Sequence, residues 1–210
     1  MESKLRGKRD GGSGEEVDIK ATRHGSVLAS QYLPYGAALT AKGDSWQVMA
    51  TSAIAALVVR PTDTAMLTLW NGEAAGGKSY IIERVFTHAL VTGTQQDMFG
   101  IWLCLNDIGM STVDADITAI CSNRAVANYG GNALVDVGAT VTDIAGWFPW
   151  GPSGEVEATG VLPGSIACAE VNGRIIVPPS AGLSITVVAG TVDVDCCCGF
   201  HWYEEVIDLA

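Results

Sequence analysis

From about residue 23 onward, the chain consists of short runs of β-branched and aromatic residues broken by Gly, Pro, Asn and Asp, and no long stretch has strong helical periodicity. That text admits few folds. The runs predict strands near 46–50, 54–60, 65–70, 79–91, 98–105, 113–121, 133–142, 155–162, 173–177, 183–189 and 191–204. Many short strands with frequent turns are the signature of a sandwich or barrel. The expected architecture is an all-β antiparallel sandwich, jelly-roll-like, over residues 23–210, preceded by an extended N-terminal arm over 1–22. "FGIWLCL", 99–105, is apolar on both parities, as in a strand covered on both faces. "SNRAVANYGG", 122–131, reads as one short helix or a long loop, and "IAGWFPWGPSG", 144–154, as a protruding loop. There is no internal repeat and no heptad.

The triplet "CCC" at 196–198 tests this reading. Taken at a period of two, Val192, Val194, Cys196, Cys198, Phe200 and Trp202 form an apolar set, and Asp193, Asp195, Cys197, Gly199, His201 and Tyr203 a mostly polar or small one. A half-buried strand has this pattern. Cys196 and Cys198 then act as small core residues, and Cys197 falls on the wetter face with His201. Consecutive strand residues point apart, so the three thiols cannot converge on one tetrahedral ion, and adjacent cysteines rarely meet the geometry of a disulfide. No metal and no cofactor is expected here.

Charge limits the choice of partner. Charged residues make up 17% of the 210, below the usual quarter, which suggests surface buried against other subunits. The net charge of −11 is uneven: residues 1–23 carry six bases and five acids, and residues 24–210 six bases and eighteen acids. An acidic body argues against nucleic acid bound over a broad face. The polar, Gly-rich arm should be disordered alone. Its cluster Lys4, Arg6, Lys8 and Arg9 suits an acidic neighbour such as the body of an adjacent copy. Six cysteines do not make a disulfide scaffold, and Cys104, Cys121 and Cys168, scattered in apolar contexts, read as reduced core residues of a protein made in a cytoplasm. The N-terminus lacks the apolar run of a secretory signal, and "AIAALVV", 53–59, is too short to span a bilayer.

Few motifs suggest chemistry. "GEAAGGKS", Gly72–Ser79, matches the phosphate-loop pattern, with Lys78 placed for the terminal phosphates and Ser79 for magnesium. The text after it, "SYIIERVFTHALVT", is strand-like where a helix is required, and the rest of the chain lacks alternating strand and helix text. Asp114 with Asp116, Glu155 with Glu157, and Asp193 with Asp195 each put two acids on one strand face. Such pairs could hold calcium or cleave glycosides, but they also mark an ordinary solvent face. His24, His88 and His201 are far apart, no Gly-X-Ser-X-Gly elbow is present, and no catalytic residue is assigned. Trp147, Phe148 and Trp150 either contact a partner or sugar ring, or fold back and cap the sandwich.

"GRIIVPPSAGLSITVVAG" followed by a strand ending in "GFHWYEE" resembles the C-terminal hairpin of β-sandwich virion proteins of tailed bacteriophages. "ATRHGSVLASQYLPYGAALTAKGDSWQVM" and "TAMLTLWNGEAAGGKSYIIERVF" are similar to the opening segments of such proteins. The resemblance spans much of 21–206. It implies a capsid decoration (cement) protein, a head fibre or a related accessory shell protein, often trimeric, found in the virion and without enzyme activity. Its partners would be its own copies and a major capsid or other virion protein, with no nucleic acid and no membrane. In such proteins the counterpart of Gly72–Ser79 is a loop between strands. A receptor- or glycan-binding module of a tail or fibre, and a nucleotide-binding protein using Gly72–Ser79, are the alternatives.

Overall fold

The structure, a computed structural model, describes residues 5–8, 16–19, 34–91, 96–106, 113–123, 125, 132–156 and 166–207. The chain divides into two compact units, Met1–Ala37 and Ala38–Ala210. Within the first, strands β1 (Leu5–Lys8) and β2 (Glu16–Ile19) pair antiparallel, with Leu5 opposite Ile19 and Lys8 opposite Glu16. A paired ribbon thus replaces part of the unpatterned arm.

Helix α1 (Tyr35–Lys42) follows, in a stretch with three alanines. It ends where Gly43 turns to φ 89°: Gly43 N–H donates to Thr40 C=O at 3.1 Å and Asp44 N–H to Leu39 C=O at 3.0 Å. This bond pair closes a helix through a left-handed residue, a role that glycine fills without strain. Two turns are too few to register as periodicity, so the sequence pattern does not announce α1.

The second unit is a sandwich of two antiparallel sheets. Its strands are β3 (Ser45–Met49), β4 (Ile54–Ala55), β5 (Leu67–Asn71), β6 (Ser79–Val91), β7 (Asp97–Asn106), β8 (Ile120–Cys121), β9 (Ala133–Asp136), β10 (Trp147–Val156), β11 (Ile166–Val177), β12 (Gly182–Ala189) and β13 (Asp195–Glu205). One sheet has the order β10-β7-β12-β5-β9; the other has β11-β6-β13-β3-β8, with β4 also on β13. Four pairs, β3 with β13, β5 with β12, β6 with β11 and β7 with β10, make the chain one long hairpin rolled over itself. The contacts β6 with β13 and β7 with β12 close the roll. Eight strands so connected form a jelly roll. The added strands β8 and β9 widen one sheet each.

The core fills the space between the sheets. Phe99, Ile101 and Leu103 of β7 and Leu183, Ile185 and Val187 of β12 meet Ile82 and Val85 of β6 and Cys196, Cys198, Phe200 and Trp202 of β13. The β13 residues are those of the apolar parity. Val192 lies in the preceding turn and is exposed, and Cys197 is only 3% exposed rather than on a wet face. β13 is hydrogen-bonded on both sides, so Cys197 is flanked by neighbouring strands, with His88 directly opposite.

The expected protruding loop at 144–154 is instead a short 3-10 turn (Ile144–Gly146) running into edge strand β10. An edge tolerates Pro149 and Pro152, because one side of the strand needs no ladder donors. Register slips between Pro149 and Ser153, and Gly151 there has φ 82°. A Cβ on Gly151 would lie 2.4 Å from that of Ala169 on β11, so the irregular stretch packs onto the edge of the opposite sheet.

Candidate functional site

The outer face of the six-stranded sheet holds a cleft of about 440 Å³. Its walls include Ser45 and Gln47 of β3, Arg84 and Phe86 of β6, Cys168 of β11 and His201 of β13. Each follows from strand parity: their neighbours Trp46, Val85, Ala167 and Phe200 point into the core. Phe86 lies over Gly199, its cross-strand partner, where a Cβ would come within 2.3 Å of the ring. The glycine gives the ring its seat.

The polar groups of the cleft hold one another. Arg84 Nη2 is 2.7 Å from Glu170 Oε1, and both side chains are near half exposed. Ser45 Oγ and His201 Nε2 are 3.0 Å apart, and the His201 ring meets Tyr203 edge-on at 5.3 Å. Burial, with the Arg84 charge, pushes the imidazole below its ordinary value of 6.5 against the opposing pull of Glu170, so His201 is neutral at pH 7. Burial also raises the Cys168 thiol, although Arg84 pulls the other way. Nucleophilic attack needs a thiolate, and this environment disfavours one. Ser122 Oγ, also in the cleft wall, is buried and has no hydrogen-bond partner among the described residues. The site offers a neutral imidazole, a guanidinium, an amide and hydroxyls beside Phe86 and Ile166, which suits contact and hydrogen bonding.

The other expected sites resolve differently. Gly72–Ser79 joins β5 to β6, two strands of opposite sheets, and no helix follows Lys78. Lys78 Nζ lies 2.8 Å from Asp44 Oδ1 and 3.6 Å from the buried Glu204 Oε2. Burial disfavours the ammonium, but bonds to these two carboxylates outweigh it and raise its pKa. The lysine that would meet a phosphate is thus a structural tie between the β5–β6 loop and the end of β13.

Trp147 is 3% exposed, in a second cluster with Ala65, Cys104 and Val141, and its Nε1–H donates to Thr62 C=O at 2.6 Å. Phe148 and Trp150 pack on the main core, edge to face at 5.9 Å, and the Arg174 guanidinium sits 5.2 Å above the Trp150 ring. Trp147 is thus enclosed by the fold, while Phe148 and Trp150 are half-buried. Arg6 and Lys8 lie on β1; Lys4, Arg9, His24 and Glu157 fall outside the described residues.

Asp114 and Asp116 approach Asp136, whose Oδ2 accepts Asp114 N–H at 2.9 Å, and Asp116 Oδ2 accepts Val137 N–H. Burial and its two acidic neighbours raise the Asp136 pKa against that backbone bond. Asp193 sits in the turn before β13, and Glu155 is met by Gln96. Among the described residues, no group of three or more His, Cys, Asp or Glu is placed to hold a metal ion, and all six cysteines are free thiols.

The cleft draws on segments more than 150 residues apart, such as Ser45 and His201, so no local motif marks it. The usable signal was the outer parity of each strand. Comparisons of the chain with protein-family models, with curated proteins and with solved structures found no match.

Proposed function

We propose that the chain is a structural protein of a tailed-bacteriophage particle, a decoration (cement) or accessory shell protein that acts through contacts between subunits. The observation that carries this reading is the division of the chain. A unit of 37 residues whose strand β1 bears Arg6 and Lys8 precedes a jelly-roll body with a net charge of −12. A segment of net charge +1 ahead of a strongly acidic body suits a protein that anchors at one end and packs at the other, because that segment escapes the repulsion that two acidic bodies exert on each other. Many weak contacts of this kind add through avidity. The jelly-roll fold supports the reading by analogy only, since the same architecture serves many functions.

The test is proteomics and binding together. Peptides of this chain should appear in many copies in gradient-purified particles of the virus that encodes it. Full-length protein should also co-sediment with particles stripped of it, and a chain beginning at Ala21 should bind more weakly. Absence from purified particles would end this reading.

A further inference from the structure

We propose that the outer face of the six-stranded sheet is a self-association surface whose occupant is a second copy of this chain. This deepens the shell-protein reading, on which its biological use rests, while the contact can be tested alone. Met49, Leu90 and Ile166 project from this face on the Phe86 side with exposures of 37%, 43% and 65%, and Ile176, 39% exposed, lies farther along it opposite Ile81. Apolar side chains collected on one sheet face mark an interaction site more often than do single exposed ones.

Charge identifies the partner. The body carries eighteen acids against six bases, so two copies repel over most of their surface. In the middle of this face the one base, Arg84, lies beside Glu170 and Glu83, with Asp195 and Glu205 at the two ends of β13. Arg84 and Glu170 are ion-paired, with side-chain exposures of 46% and 47%. Around a symmetry axis, Arg84 of one copy can meet Glu170 of the next while keeping the pair neutral. The Arg84–Glu170 pair is therefore self-complementary and offers a local attraction within an otherwise self-repelling body.

Edge-to-edge pairing along β11 is disfavoured. Asn172 and Gly173 there have φ of 51° and 71° and break the strand between Glu170 and Ile175. A bulged edge resists strand addition, so the β11 border of this face does not compete with it for a second copy.

Sedimentation velocity on the full chain across a concentration series tests this. The wild type should form a discrete oligomer at micromolar concentration. Ile166→Asp, placing a charge at the most exposed of these positions, should weaken association by about tenfold or more. Arg84→Glu should weaken it too, and adding Glu170→Arg should restore it, a rescue that loss of folding would not show. Met98→Asp, equally exposed but on the five-stranded sheet, should leave it unchanged, and circular dichroism checks that each variant folds. A wild type that stays monomeric, or an oligomer indifferent to both Ile166→Asp and Arg84→Glu, overturns the proposal. A monomer found in virus particles would sink this contact and spare the shell reading; an oligomer absent from particles would do the reverse.

Discussion

The two sheets share one core but differ on their outer faces. On the five-stranded sheet, Thr68, Ser184, Asn106 and Thr186 are buried although they face away from the core. Buried polar groups must pair, and three of these do so with one another: Thr68 Oγ1 and Asn106 Nδ2 each lie 2.7 Å from Ser184 Oγ. The chain covers much of this face itself, leaving Met98 exposed at one end. The segment before β5 and the segment before β10 bridge each other through Ala65 N–H to Ala139 C=O and Val141 N–H to Asp63 C=O. Arg60 holds the carbonyls of Ile144, Ala145 and Trp147, and Trp147 donates to Thr62. The six-stranded sheet presents Ile166, Ile176, Leu90 and Met49 to solvent instead. A face that closes on itself can be polar, because its partners are built in. A face that stays open and apolar is suited to a partner from outside.

The largest effect should come from removing the cover. Trp147→Ala deletes a buried indole and leaves Thr62 C=O unpaired, and is expected to cost about 3–5 kcal/mol in urea unfolding. Amide exchange at Ala65 and Val141 should quicken first. Uniform acceleration through both sheets would show that the cover is not a separate element.

Ser184→Ala strips the polar ladder of its shared hydroxyl and leaves Thr68 and Asn106 without that partner, at about 1–3 kcal/mol. On the open face, Gly199→Ala should cost about 1–2 kcal/mol. Its Cβ would lie 2.3 Å from the Phe86 ring and 2.6 Å from Val48 O, and the backbone oxygen cannot swing away. Adding Phe86→Ala should recover only part of the loss; full recovery would mean that the open face is softer than the geometry implies.

Two smaller effects depend on pH, with opposite signs. His201 has a folded pKa below 6.5, so the unfolded chain takes up the proton first as pH falls. Its contribution to stability is present above pH 6.5 and declines below it, and the decline should flatten in His201→Gln. Asp136 has a raised folded pKa, so its contribution is present below about pH 4 and is lost as pH rises from there through its higher folded value. Asp136→Asn should therefore melt slightly higher than wild type at pH 7 and equally at pH 3. A variant that melts lower at pH 7 would show that its bond to Asp114 N–H outweighs the repulsion.

The sandwich was legible because parity is local. Cys196, Cys198, Phe200 and Trp202 entered the core as their spacing required, and "FGIWLCL" proved apolar on both sides because it is covered on both sides. Ile101 and Leu103 face the main core, while Cys104, with Trp102 packed beside it, lies in the second cluster. Strand β10 was not legible, since Pro149, Gly151 and Pro152 carry the local marks of a loop. Only its place at a sheet edge makes those residues compatible with a strand.

The sequence by itself determined which residues alternate inward, and hence the class of fold, because side-chain direction in a strand depends on nothing but its neighbours along the chain. Tertiary structure alone decided which outward faces are covered. In the sequence Cys197 reads as lying on the wetter face, Trp147 as either a contact or a cap, and Lys78 as the lysine of a phosphate-loop pattern; in the fold they are engaged by flanking strands, by the Thr62 carbonyl and by Asp44 and Glu204. Exposure depends on what the chain brings back from far away, and no local pattern contains that information.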